Sequence, residues 1–147
     1  MTKKEHYVEW GAAFAVAAEL TRRNYDVSFT IGNTPRVDLL CAVPDGPDFK
    51  IQVKGISSAN AFWVQKKFFD APTQNNLFLV VVLVPLNQPE KPFRFFILTH
   101  GEAKFAYSHM RKLKRSGEPY KDSETGLNWG EIKNHEGRWD KFPIKVK

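Results

Sequence analysis

The sequence predicts an α/β protein built on a mixed central β-sheet flanked by helices. Three observations carry that prediction. An Ala-rich helical stretch opens the chain, and three short strand-like runs follow it. Residues 77–84, Leu-Phe-Leu-Val-Val-Val-Leu-Val, then form an unbroken apolar and β-branched run of the kind that lies inside a sheet covered on both faces. With 147 residues a single domain is expected, long enough to bury ~70% of the surface that its unfolded chain exposes.

The elements follow in order. Residues 5–23 read as a helix, with Phe14 and Leu20 supplying bulk among alanines, and Asn24 reads as its stop. Residues 27–31 are strand-like, Gly32-Asn33-Thr34-Pro35 a turn, and 37–43 a second strand. Pro44-Asp45-Gly46-Pro47 is a strong turn signal, so 49–54 is expected to return as the hairpin partner of the second strand. A polar loop after Gly55 leads to a short helix over 61–69. The buried strand at 77–84 takes 93–98 as an edge partner, and a second long helix is read over 101–115. From Ser116 onward the chain is rich in glycine, polar residues and aromatics. This stretch, 116–147, is read as an extension packed on the domain, with Trp129 and Trp139 as anchors.

A net charge of +6 and an isoelectric point near 9.5 favour acidic partners such as nucleic acid, although many small proteins are basic. Cys41 is the sole cysteine and sits in an apolar run, so no disulfide forms within the chain and a buried thiol in a reducing compartment is expected. The N-terminus lacks the apolar stretch of a signal peptide, and no run is long enough to cross a bilayer. A cytoplasmic protein without membrane contact is the resulting expectation.

The most informative local feature is Asp38 on the second strand, followed after thirteen residues by Gln52-Val53-Lys54 on the third. Gln52 and Lys54 are two apart, so they share one face of the strand while Ile51 and Val53 take the other. A carboxylate, an amide oxygen and an ammonium then surround one small volume, as metal-dependent phosphodiester cleavage requires.

This element order, with Asp38 on one strand and Gln52-x-Lys54 on the next, resembles the PD-(D/E)XK nuclease superfamily, and the Gln form is similar to Mrr-like endonucleases. The resemblance covers roughly residues 5–100 and implies the restriction-endonuclease-like fold and Mg²⁺-dependent cleavage of DNA, with Mn²⁺ a substitute. By that likeness Asp38 holds the metal, the Gln52 carbonyl and the Val53 backbone carbonyl join it, and Lys54 positions or polarises the attacking water. Members also carry a Glu on the first helix. The corresponding position here is Ala13, but Glu9 lies one turn earlier and eleven residues before Leu20, within ~20° of the same helix face. Glu9, Ala13, Val16 and Leu20 form one inward stripe, which makes Glu9 a candidate outer ligand and leaves Glu19 solvated.

Two departures from the family pattern stand out. Pro35 is displaced to three residues before Asp38, and Gln52 replaces the commoner acid, which implies weak Mg²⁺ binding unless Glu9 or DNA phosphates complete the site. The implied activity is endonucleolytic, in genome defence or DNA processing. The alternative is a catalytically inactive module of the same fold that binds nucleic acid or a protein partner. Cutting both strands of a duplex needs two sites, which favours a homodimer, and a lone nuclease domain invites a protein partner that supplies specificity.

For the run Arg111-Lys112-Leu113-Lys114-Arg115, two readings stand: cations at a helix C-terminus, or phosphate contacts along DNA. Lys66 and Lys67, on the helix after the motif, carry the same two readings. The four histidines, His6, His100, His109 and His135, make no zinc spacing with one another or with Cys41, and surface or cap roles are expected. No phosphate-binding Gly-Lys-Ser/Thr loop and no Gly-x-Ser-x-Gly elbow occurs. Phe68, Phe69, Phe93, Phe95 and Phe96 are read as core and sheet material.

Overall fold

A computed structural model of the chain describes residues 2–31, 37–110, 112–121 and 125–144, with Ile31, Val37 and Asp38 described by their backbone alone. The chain begins with helix α1 (Lys3–Arg22), started by a capping box in which the Thr2 hydroxyl accepts from the Glu5 N–H and the Glu5 carboxylate accepts from the Thr2 N–H. The helix stops at Asn24, which takes the left-handed conformation at φ 69°, and the Tyr25 N–H returns to the Leu20 carbonyl.

Strands β1 (Asp26–Ile31), β2 (Val37–Ala42) and β3 (Asp48–Ile56) follow as an antiparallel meander. The β2–β3 turn forms where Pro44-Asp45-Gly46-Pro47 places it, with Asp45 at φ 58° and the Val43 N–H bonded to the Pro47 carbonyl. The turn expected at 32–35 lies outside the described residues.

Strand β4 (Phe62–Trp63) and helix α2 (Lys66–Asp70) make the crossover to β5 (Leu77–Leu83), which runs parallel to β3. Strand β6 (Arg94–Thr99) closes the sheet antiparallel to β5 and continues directly into α3 (His100–Ser108). The five-stranded order is β1-β2-β3-β5-β6, a mixed sheet in which β5 is interior. After α3 come β7 (Gly126–Leu127), paired with β4 in a separate two-stranded ladder, and a short helix α4 (Trp129–Ile132).

Two apolar clusters cover the sheet. On one face Val8, Ala12, Ala13, Val16 and Leu20 of α1 pack on Leu39, Cys41, Phe49, Ile51, Val53, Val80 and Ile97, with Phe142 of the C-terminal segment. On the other, Phe68 and Phe69 of α2, Ala103 and Ala106 of α3, Leu127 and Ile132 pack on Leu79, Val81, Phe96 and Leu98. Complete burial of a Leu or Val side chain contributes ~1.5–3 kcal/mol, so these two layers supply the main drive to fold. Burial also pushes the Cys41 thiol up to about 12, which keeps it protonated and inert.

Several sequence expectations are corrected. The helix expected over 61–69 starts only at Lys66, because Phe62 and Trp63 are claimed by pairing with Leu127 and Gly126. The long helix expected over 101–115 ends at Ser108. Lys112 and Lys114 lie instead beyond its end, by a turn closed by a Leu113–Pro119 bridge, and Lys112 reaches back to the helix C-terminus, donating to the Tyr107 carbonyl at 3.1 Å. Arg111 of that run lies outside the described residues. Phe14 is exposed, stacked on Trp10 and edge-on to Phe29, and Phe93 is exposed too.

His100 is fully buried rather than a surface residue. The Gln74 N–H donates to its Nδ1 at 3.0 Å, and its Nε2 lies 2.7 Å from the Phe68 carbonyl. An amide can only donate and a carbonyl only accept, so the ring is neutral with its proton on Nε2. It thereby ties α2 and the following loop to the start of α3. Glu19 is not simply solvated either, since it pairs with Arg22 and Arg23.

The C-terminal segment is fastened by one lysine. Lys141 donates to the Ile97 carbonyl, to the Glu102 carboxylate and to His135 Nδ1, at 2.8, 2.9 and 2.7 Å. Trp139 is half-buried against Phe95 and carries the Arg23 guanidinium over its ring, while Trp129 packs edge-on to Phe96. Both tryptophans are anchors as expected, but the deepest are Leu127, Ile132 and Phe142.

Burial and the neighbouring Lys141 and Arg138 hold His135 below the ordinary histidine range, against a smaller opposing pull from Glu102. The unfolded chain therefore takes up this proton before the folded protein does, and stability falls as pH drops from about 6.5 toward the lowered value. Urea unfolding at pH 7.5 and 5.5 should show the wild type losing stability at the lower pH, with a shallower loss in His135→Gln. Equal slopes for the two proteins would contradict the clamp.

Candidate active site

Strand β3 carries the candidate residues, and its burial pattern shows why they are available. Phe49, Ile51, Val53 and Gly55 alternate into the α1 side, leaving Lys50, Gln52 and Lys54 on the opposite side of the strand. In the β2–β3 ladder Asp38 is directly opposite Gln52, so the two expected ligand positions form one rung. This is the last rung of the β2 pairing, and Lys54 lies two residues beyond it. The Asp38 side chain lies outside the described residues. The Gln52 side chain is half-buried, and that of Val53 is buried against α1, which leaves only the Val53 carbonyl for any ligand role.

Lys54 nevertheless meets α1, where its Nζ donates to Glu9 Oε1 at 2.7 Å, and the Gly55 N–H approaches Glu9 Oε2 at 3.5 Å, the outer limit for a hydrogen bond. The side chains of Lys54 and Glu9 retain 24% and 17% of their exposure, so the pair is partly desolvated yet open to solvent. The inward stripe is otherwise as expected, with Ala13, Val16 and Leu20 fully buried. Glu9, at its solvent end, has found a cation.

The contact depends on Gly55. A Cβ at that position would lie 2.5 Å from the Val8 carbonyl oxygen and 3.0 Å from Ala12 Cβ. The helix backbone thus rests directly on β3, close enough for a carboxylate one residue after Val8 to reach Lys54. No sequence rule used above singles out Gly55, although its place immediately after the Gln52-x-Lys54 motif is a usable signal.

Glu9, Lys54 and Gly55 line an open cleft of about 510 Å³ whose other walls include Thr2, Lys4, Ser57 and Trp63. Among the described side chains, neither Gln52 nor the other expected basic residues line it. Lys66 pairs with Asp70 on α2 and lines a neighbouring recess, and Lys67 is exposed on the same helix. The Lys112 ammonium sits 3.2 Å above the Tyr107 ring, while Lys114 and Arg115 occupy the turn after α3. Among the described residues no group of three or more His, Cys, Asp or Glu side chains converges, a set that leaves out the Asp38 carboxylate.

No family model matches the chain, and no curated protein or solved structure matches it either. Among the described residues no helix is long and apolar enough to cross a membrane.

Gly55→Ala should force α1 away from β3, because the obstructing atom is backbone and cannot rotate aside. A loss of ~1–3 kcal/mol in urea unfolding is expected. Stability within ~0.5 kcal/mol of wild type would contradict the close approach.

Proposed function

We propose that this chain is a metal-dependent endonuclease of the restriction-endonuclease-like type that hydrolyses DNA phosphodiester bonds. The observation that carries this reading is the Asp38–Gln52 rung, with Lys54 two residues further on and gripped by Glu9 of α1. The donor set supports it chemically. The Asp38 carboxylate, the Gln52 amide oxygen and the Val53 carbonyl are hard oxygens of the kind Mg²⁺ selects, and Mn²⁺ accepts the same ligands. Glu9 adds an outer oxygen.

A bound Mg²⁺ would supply neutralising charge at the scissile phosphate and lower the pKa of a coordinated water. The rest falls to the protein. Lys54 places a cation where the phosphoryl oxygens gain negative charge, and its proton-bearing nitrogen can orient the attacking water. Glu9 fixes that ammonium from the helix side, so that the lysine meets the phosphate already positioned. Water adds to phosphorus, a phosphorus–oxygen bond to one sugar breaks, and the products are a phosphate monoester and a hydroxyl end.

The basic surface supports a polyanionic substrate, with Lys66 and Lys67 on α2 and Lys112 and Lys114 by the recess that α2 and the turn after α3 line. Double-strand cleavage would call for a homodimer or a protein partner. Genome defence or DNA processing is the matching role.

A second reading is favoured by one observation. Lys54 and Glu9 neutralise each other, as they would in a nuclease-fold module that binds nucleic acid or a protein without cutting it. Supercoiled plasmid incubated with the protein and Mg²⁺ or Mn²⁺ separates the two. Metal-dependent cleavage is expected, falling ~100-fold or more in Asp38→Ala and in Lys54→Ala. No cleavage by wild type, or undiminished cleavage by Asp38→Ala, would overturn the nuclease reading.

A further inference from the structure

A second recess, of about 470 Å³, adjoins the Glu9–Lys54 cleft, and the two share a wall formed by Ala61 and strand β4, Phe62 and Trp63. Its walls are mainly apolar and aromatic, including Trp63, Tyr107, Met110 and Tyr120, while Lys66 and Lys112 add positive charge. Trp63 is 56% exposed, and its indole neither stacks on another ring nor hydrogen-bonds among the described residues. An exposed aromatic face on the wall of an apolar recess, with lysines beside it, suits a flat anionic ligand.

The backbone that carries the indole is held firmly. Its strand is paired to β7, the Val64 N–H donates to the Thr125 carbonyl, and the Thr125 hydroxyl donates to the Val64 carbonyl. At Gly126 the strands approach so closely that any Cβ would fall on the Phe62 carbonyl. Tyr107 is not a stacking surface, since Phe69 covers one face at a centroid distance of 4.1 Å and the Lys112 ammonium the other. That leaves Trp63 as the exposed ring presented to a ligand, with half-buried Tyr120, which carries the Lys114 ammonium 6.0 Å from its centroid, on another wall.

We propose that this recess seats an unstacked base of a DNA strand whose backbone runs into the Glu9–Lys54 cleft. The substrate of the nuclease is then single-stranded or locally unpaired DNA, an inference that rests on the nuclease reading for the chemistry at the cleft. The occupant must combine a flat aromatic face with an anionic linkage, and a nucleotide does. Bases inside a duplex have both faces stacked, so only an unpaired base can enter. The wall shared at Ala61, Phe62 and Trp63 sets the base recess and the cleft side by side, so that one strand can reach both.

The test is fluorescence anisotropy with a labelled single-stranded oligonucleotide and the blunt duplex of the same sequence, at fixed salt with EDTA so that nothing is cut. The full chain, Trp63→Ala and Trp63→Phe are compared, with urea midpoints confirming that each is folded. Wild type should bind the single strand about tenfold or more tightly than the duplex. Trp63→Ala should lose most of that preference, and Trp63→Phe, which keeps a ring, should retain most of it. Equal affinity for both DNAs, or an unchanged preference in Trp63→Ala, would overturn the proposal. Because binding is read without metal, its failure is separable from failure of the nuclease. Plasmid cleavage without single-strand preference removes the recess proposal alone, and Trp63-dependent preference without cleavage removes the nuclease reading alone.

Discussion

The contact of α1 with β3 at Gly55 is the constraint on which the site geometry depends. Helices normally stand off a sheet by the length of their side chains. Here Ala12, Ala13 and Gly55 remove those side chains, and the Val8 carbonyl lies against the strand. The same closeness buries Val16 and Leu20 against Leu39 and Ile51. It also brings the first acidic residue beyond the buried stripe within 2.7 Å of a lysine at the end of β3. Core packing and the polar pair are therefore consequences of one steric choice.

The opposite face solves a different problem. Strand β4 is only two residues long and has no sheet of its own to join, so it is stable only because β7 returns from the C-terminal segment to pair with it. Behind that ladder Leu127 and Ile132 fill the space over Phe96 and Leu98, and Lys141 fastens the following turn through three acceptors. Phe142 then crosses to the α1 face and packs between Phe49 and Phe78. The C-terminal stretch contributes core residues to both faces, and by pairing with β4 it fixes the backbone that carries the exposed indole of Trp63 beside the cleft.

Much of the fold was legible in the sequence because the strong signals are local. The β-branched run containing Val80–Val82, the Pro44–Pro47 turn and the alanines of α1 each specify an element with little help from elsewhere. The Asp38–Gln52 rung followed from the length of a hairpin, which a turn and two strands determine. What was not legible depends on partners distant in sequence. Phe62 and Trp63 look helical until Leu127 and Gly126 claim them, and His100 looks like an ordinary helix-start residue until Phe68 and Gln74 enclose it. Glu9 could be placed on the inward stripe by periodicity, but its partner depended on Gly55, a steric feature that periodicity does not encode.

The proposed chemistry is economical in charge. Asp38 supplies the secure anion, Gln52 a neutral oxygen, and Glu9 and Lys54 balance each other, which matches a site completed by a metal and the phosphates of its substrate. The most direct measurement is anomalous diffraction from crystals of the protein grown with Mn²⁺ and a DNA oligonucleotide. The expected result is a manganese peak within ligand distance of the Asp38 carboxylate and the Gln52 side-chain oxygen, with Lys54 at the adjacent phosphate. A peak elsewhere on the chain, or DNA bound with Asp38 turned away from both metal and phosphate, would contradict the assignment.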